Sequence, residues 1–267
     1  MSEQVTEDRP SFRANGNSKK KMNTTDLKSF NYLENGEVIY SPIKSIKTEK
    51  VLDKGVYKVK YLGHPENRVA LYKEDEKEEV KIYEFPAKAY IDSLFKSFFN
   101  KDVKEFINKA GFLHKVGLLL HGKEGTGKTT ILRYYYNQEI ENNDALVFYM
   151  DCSNHDTLGL CWSLIENIRK VQDNPIVIIF EECDVLITNH CESTLKMILD
   201  GNKSIENCIF LATTNYIDKI PDALKNRKSR FKNCLKIGGL EDVNVIIRIM
   251  ENMLEGISDK KDIKLMS

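Results

Sequence analysis

The sequence predicts an α/β fold: a parallel sheet covered by helices on both faces. Two observations carry this expectation. Four short runs are almost continuously apolar: "VGLLLH" (116–121), "ALVFYM" (145–150), "PIVIIF" (175–180) and "CIFLATT" (208–214). Such runs read as strands buried on both sides. Amphipathic stretches of helical period lie between them, and this alternation builds parallel crossover units.

From the amino end, residues 1–50 are polar, rich in Ser, Asn, Lys and Glu, and are expected to form a disordered tail. Its "SKKKM" run is basic enough to touch nucleic acid or an acidic partner, and a solvated tail is the plainer reading. Residues 51–86 hold three runs that alternate apolar and polar: "GVYKVKYL" (Gly55–Leu62), "RVALY" (Arg68–Tyr72) and "EVKIYEF" (Glu79–Phe85). They predict a small antiparallel meander. It is either a docking module or an apron on the main domain, and the spacing does not choose.

The main domain is expected over residues 87–238. From Ala87 to Ala110 the period is helical: Ile91, Leu94, Phe95 and Phe98 share a face, and Val103, Phe106 and Ile107 continue after Asp102. These read as core positions. The helices "KTTILRYYYNQEI", "LGLCWSLIENIRKV" and "CESTLKMIL" then alternate with the strands, and "IPDALKNRKSRF" predicts a short helix and turn. Residues 239–267 offer one amphipathic helix, with Val243, Ile246, Ile247, Met250 and Leu254 on its apolar side.

Lys+Arg and Asp+Glu both number 40, so the formal net charge is zero. That balance argues against a protein whose main task is to neutralise a long stretch of DNA phosphate. The six cysteines form no C-x-x-C pair and the five histidines are scattered, so zinc-type spacing is absent. Reduced, mostly buried thiols in a cytoplasmic protein are expected. No apolar run approaches the roughly 20 residues a membrane span needs. The amino end lacks the apolar stretch of a secretory signal.

One segment carries chemistry. Gly122-Lys123-Glu124-Gly125-Thr126-Gly127-Lys128-Thr129 fits G-x-x-x-x-G-K-[ST], directly after a predicted strand and at the start of a predicted helix. Glycines let the backbone turn tightly and aim its N–H groups inward, and the helix adds the positive end of its dipole. This predicts a P-loop for the phosphates of ATP, lined by these eight residues and Thr130. Lys128 reaches the β- and γ-phosphates, and the Thr129 hydroxyl holds Mg²⁺. "IVIIFEECD" ends a buried strand in Glu181, Glu182 and Asp184, at the end of the sheet where such folds bind ligands. One acid there can hold Mg²⁺ through water and the next can activate the attacking water. "FLATTN" brings Asn215 to the end of another strand, and Arg227 and Arg230 follow. An arginine in such a place can stabilise transition-state charge, in the same or a neighbouring subunit.

These stretches, in this order, resemble the AAA+ ATPases, most closely the AAA-type members. "AGFLHKVGLLLHGKEGTGKTT" resembles the run into the Walker A loop, "IVIIFEECD" the Walker B strand, and "LATTNYIDKIPDALKNRKSRF" the sensor-1 strand with the arginine-finger segment. The resemblance implies a P-loop NTPase with a five-stranded parallel sheet and ATP at the subunit boundaries of a homo-oligomeric ring. It implies Lys128 and Thr129 on phosphate and Mg²⁺, and Glu181 near the metal through water. Glu182 would be the catalytic acid, Asn215 sensor 1, and Arg227 and Arg230 the finger candidates. The sequence departs from the family in four places: Glu181 stands where Asp is usual, Lys123-Glu124 replace prolines, Thr157-Leu158-Gly159 is only a weak pore-loop match, and the carboxyl-terminal lid is expected to be short, with Arg248 as a sensor-2 candidate. The leading expectation is an oligomeric ATPase remodelling a protein or nucleoprotein partner. The alternatives are a DNA-associated ATPase of the clamp-loading or replication kind, which the balanced charge disfavours, and a slow-hydrolysing ATP-gated assembly module.

Overall fold

The computed structural model describes residues 30–31, 48–49, 51–62, 69–74, 80–82, 85–150, 155–227 and 229–238. Two short strands, β1 (Phe30–Asn31) and β2 (Thr48–Glu49), pair antiparallel as a separate ladder. Everything else is organised by one seven-stranded sheet. Its strands are β3 (Gly55–Tyr61), β4 (Val69–Lys73), β5 (Lys115–His121), β6 (Leu146–Met150), β7 (Ile176–Phe180), β8 (Cys208–Thr214) and β9 (Asn233–Lys236). The order is β4-β3-β6-β7-β8-β5-β9. Every neighbouring pair is parallel except β3 with β4.

The five strands that the resemblance implies are therefore present, and two more widen the sheet. β3 and β4 form the expected antiparallel pair, with Val59 opposite Leu71. The pair does not stand alone: β3 lies parallel to β6, with Val56 opposite Val147. Tyr57, Val59 and Leu71 are buried in the same core cluster as Phe148 and Trp162. The hairpin is thus built into the main sheet as an apron. Of the third expected run, the described residues 80–82 and Phe85 are not in a strand, and the rest lies outside the described residues.

Successive side chains of a strand point to opposite faces, and here both faces are apolar. Ile176, Ile178 and Phe180 of β7 enter one core cluster, Val177 and Ile179 the other. The first cluster is covered by α4 (His155–Val171), α5 (Cys183–Thr188) and α6 (Glu192–Asp200), through residues such as Trp162, Leu186 and Leu195. The second is covered by α1 (Lys88–Phe98) and α3 (Lys128–Asn143), through Ile91, Phe95, Leu132 and Ile140. α2 (Lys101–Lys109) follows α1 and is capped by the Asn100 side chain, which accepts from Asp102 N and Val103 N at 2.8 and 3.2 Å. Contrary to the core positions expected there, α2 buries none of its residues, and Phe106 is 73% exposed. α7 (Asp222–Lys225) is the short helix expected before the two arginines.

Cys161, Cys183, Cys191 and Cys208 are buried free thiols, and Cys234 is half-buried. Thr157-Leu158-Gly159 falls within the first turns of α4, with Thr157 and Leu158 buried, so it presents no loop. The amphipathic segment of residues 239–267 and Arg248 lie outside the described residues. Among the described residues no helix is long and apolar enough to cross a membrane.

Candidate functional site

Register decides which residues share the carboxyl edge of the sheet. β8 lies between β5 and β7. His121 pairs with Thr214 and Phe180 with Ala212, so the three strands end almost level. The residues that leave them are Gly122 after β5, Glu181 and Glu182 after β7, and Asn215 after β8. Neighbouring strands run about 4.8 Å apart. Loop, acids and amide therefore emerge side by side.

The loop Gly122–Thr129 connects β5 to α3. Gly122 N–H donates to Thr214 O at 3.3 Å, and Ile237 N–H donates to His121 O at 2.7 Å, so strands on either side hold its entrance. A Cβ at Gly122 would lie 2.2 Å from Ile237 O, which leaves room for glycine alone. Gly125 and Gly127 take φ of 75° and 81°, the left-handed region that glycine enters without steric cost. Gly127 is the N-cap of α3, so the first helical N–H groups face the loop's hollow.

Lys128 is the first residue of α3 and is only 7% exposed. Its Nζ donates to Gly122 O at 2.9 Å and Lys123 O at 2.8 Å, folding the side chain along the loop. Burial holds this ammonium below the ordinary lysine pKa, with Glu124 pulling partly the other way. Thr126 Oγ1 donates to Lys123 O at 2.9 Å and stiffens the bend. Thr129 and Thr130 occupy the first turn of α3, Thr129 half-buried and Thr130 exposed. Lys123 and Glu124 are exposed, as side chains irrelevant to a backbone cradle should be.

Glu181 and Glu182 are both exposed at the end of β7. Glu182 caps α5 in a left-handed conformation, φ 50° and ψ 53°. For a residue with a Cβ this costs about 1–2 kcal/mol. Its N–H donates to Thr213 Oγ1 at 3.2 Å. Glu181 acts electrostatically on a phenol pair, Tyr136 and Tyr149, whose hydroxyls meet at 3.2 Å. Burial pushes both phenols above the ordinary tyrosine range, and the Glu181 charge adds to this. Asn215 is half-buried and follows Thr214, whose Oγ1 accepts from Tyr216 N–H at 3.0 Å.

The two arginines differ sharply. Arg230 is 7% exposed. Its Nε lies 2.8 Å from Asp200 Oδ2, and Nη1 donates to Ala223 O at 2.8 Å. Ser229 Oγ donates to the same carboxylate at 2.9 Å. Burial alone would raise the Asp200 pKa; the Arg230 and Ser229 hydrogen bonds and the Arg230 and Arg227 charges outweigh it and hold the carboxyl below the usual aspartate value. Arg227 Nη1 stands 3.8 Å from Asp200 Oδ2, and its side chain is 65% exposed. The structure thus ties Arg230 into its own chain and leaves Arg227 facing outward.

Two features escape a reading by residue type. Asp184 was visible in the acidic run, but its partner was not: Thr214 Oγ1 donates to Asp184 Oδ1 at 2.7 Å, with both residues buried. Thr213 and Thr214 read as β-branched strand formers, and only their place at the strand end marks them as polar contacts.

Residues 118–238 match the family described as ATPase family associated with various cellular activities (AAA). The match covers a little under half of the chain, and over those residues the sequence is similar to the AAA+ ATPases. Its mostly parallel sheet with helices on both faces is the α/β arrangement of a P-loop NTPase. Among the curated proteins to which the chain is similar, ATPase family gene 2 protein of Schizosaccharomyces pombe is 26% identical over 179 residues, 61% of this chain and 21% of that protein. Protein STICHEL-like 4 of Arabidopsis thaliana is 26% identical over 188 residues, 62% of this chain and 19% of its own. Peroxisomal ATPase PEX6 of Rattus norvegicus is 25% identical over 178 residues, 58% and 17%. The chain spans about a fifth of the length of these curated relatives.

Proposed function

We propose that the protein binds ATP with Mg²⁺ and hydrolyses it, as an oligomeric machine that remodels a protein or nucleoprotein client. The observation that carries this reading is the emergence of a glycine-built loop, two carboxylates and an amide from three adjacent strand ends. The loop presents backbone N–H groups and the positive end of α3 to phosphate. Lys128 supplies the cation for the β- and γ-phosphates, and Thr129 a hydroxyl for the metal. Among the described residues no three His, Cys, Asp or Glu side chains converge on a metal position of their own. Mg²⁺ takes phosphate oxygens and water with few protein ligands. When bound, Mg²⁺ neutralises charge on the phosphates. Glu181 would help hold the ion through water.

In this reading Glu182 accepts the proton of the attacking water and Asn215 orients that water toward the γ-phosphate. Arg227 is the cation offered to the nucleotide of a neighbouring subunit; its exposure supports this, while Arg230 keeps the segment folded. Glu182→Gln tests the assignment. It removes the base but keeps the shape, so ATP stays bound within about threefold while turnover falls by about two orders of magnitude. Turnover at the wild-type rate would remove Glu182 from the chemistry.

A further inference from the structure

The backbone of Glu182 is strained, and something must hold it. The hydroxyls of Thr213 and Thr214 reach from the end of β8 to both sides of that residue. Thr213 Oγ1 accepts from Glu182 N–H at 3.2 Å. Thr214 Oγ1 donates to Asp184 Oδ1 at 2.7 Å, two residues further on. The three side chains are buried, with Asp184 6%, Thr213 4% and Thr214 1% exposed. A conformation of this cost persists only where its surroundings fix it, and here the first turn of α5 is pinned on either side of Glu182.

Thr214 does more than hold α5. A hydroxyl donates once and accepts through its lone pairs. Having given its proton to Asp184, Thr214 Oγ1 accepts from Tyr216 N–H at 3.0 Å. Tyr216 is the residue after Asn215. The Thr214 carbonyl in turn accepts from Gly122 N–H at 3.3 Å, at the entrance of the phosphate loop. One residue is therefore bonded to the acid's turn, to the amide's turn and to the loop.

We propose that Thr214 and Asp184, with Thr213, are positioning residues that align Glu182 and Asn215 against the phosphate loop. This rests on the hydrolytic reading of the site. None of the three needs to touch the nucleotide: they act through the residues they hold. Thr214→Val removes the hydroxyl and keeps the volume, whereas Thr214→Ser removes only the methyl and keeps the hydroxyl. In Thr214→Val, kcat falls at least tenfold while KM for ATP stays within about threefold. Amide hydrogen exchange at Glu182 and Tyr216, measured without nucleotide, speeds up at least tenfold. Thr214→Ser retains wild-type behaviour in both measurements. Should Thr214→Val fail to fold, Asp184→Ala breaks the same bond from the other side and is expected to give the same loss of kcat with faster exchange at Glu182, while Tyr216 keeps its bond to Thr214 Oγ1.

Unchanged exchange at both amides in Thr214→Val overturns the proposal. So does a Thr214→Ser variant as impaired as Thr214→Val, because packing of the methyl would then be the cause. A wild-type protein that does not turn over ATP would sink the hydrolytic reading instead, and the exchange comparison would still report on the clamp.

Discussion

Glu139 is a buried acid outside the site, 6% exposed on α3. Burial raises its pKa to about 7 from the ordinary glutamate value of 4.5, although Asn143 Nδ2 donates to it. The folded state therefore holds this proton more tightly than the unfolded chain does. Stability is expected to fall as pH rises from about 4.5 to about 7, and to stay lower above that window. Glu139→Gln keeps an acceptor for Asn143 and removes the charge. Thermal unfolding at pH 8 should show it more stable than wild type by on the order of 2 kcal/mol, with little difference at pH 4.5. The arginine pair separates by the same kind of argument. Arg230→Ala leaves Asp200 buried without its main cation and should cost about 3 kcal/mol. Arg227→Ala should leave stability within about 0.5 kcal/mol, because its ion pair is long and solvated, while lowering ATP turnover at high protein concentration. Denaturant unfolding and ATPase assays on both variants read the difference. The sequence could not make this distinction: it shows two arginines three positions apart, and only the fold brings Asp200, from another helix, to one of them.

At the level of elements, legibility followed how local the code is. The phosphate loop was readable because its glycines, lysine and threonine carry their conformational meaning within eight residues. The four central strands were readable because burial on both faces leaves continuous apolar runs. β9 was not: "NCLK" is a short edge strand with only half-buried or exposed residues, and nothing in it separates strand from loop. α5 was hidden in the same way, since its six residues continue an acidic strand end. The β3–β4 hairpin was half legible. Alternation announces a sheet with one polar face, but pairing with β6 is a long-range choice that no local pattern encodes. Because Tyr57, Val59 and Leu71 share a core with Phe148, the hairpin should not unfold on its own. Native-state hydrogen exchange should place the amides of Tyr57 and Val59 in the same global opening as those of Ile178 and Ile179. A separate, cheaper opening of the hairpin would show that it is a detachable module.

For the whole molecule, the sheet brings the glycine loop, Glu181, Glu182 and Asn215 to one edge, and the helices that flank it bury the two cores. The loop of residues 122–129 is built from the chain's own residues, whereas Arg227 meets Asp200 only across 3.8 Å and keeps its side chain 65% exposed, open to a neighbouring subunit. The rate per subunit should therefore rise with protein concentration and level off once assembly is complete; a rate that is constant from dilute protein upward would leave Arg227 without its proposed role. All of this presupposes that the bend between β5 and α3 grips phosphate. The most direct measurement is the affinity of Lys128→Ala for Mg·ATP, by titration calorimetry, beside a circular-dichroism check that the fold is intact. Loss of the charge-assisted contacts predicts binding weakened by about 100-fold, or roughly 3 kcal/mol. Wild-type affinity in a folded Lys128→Ala protein would contradict the account.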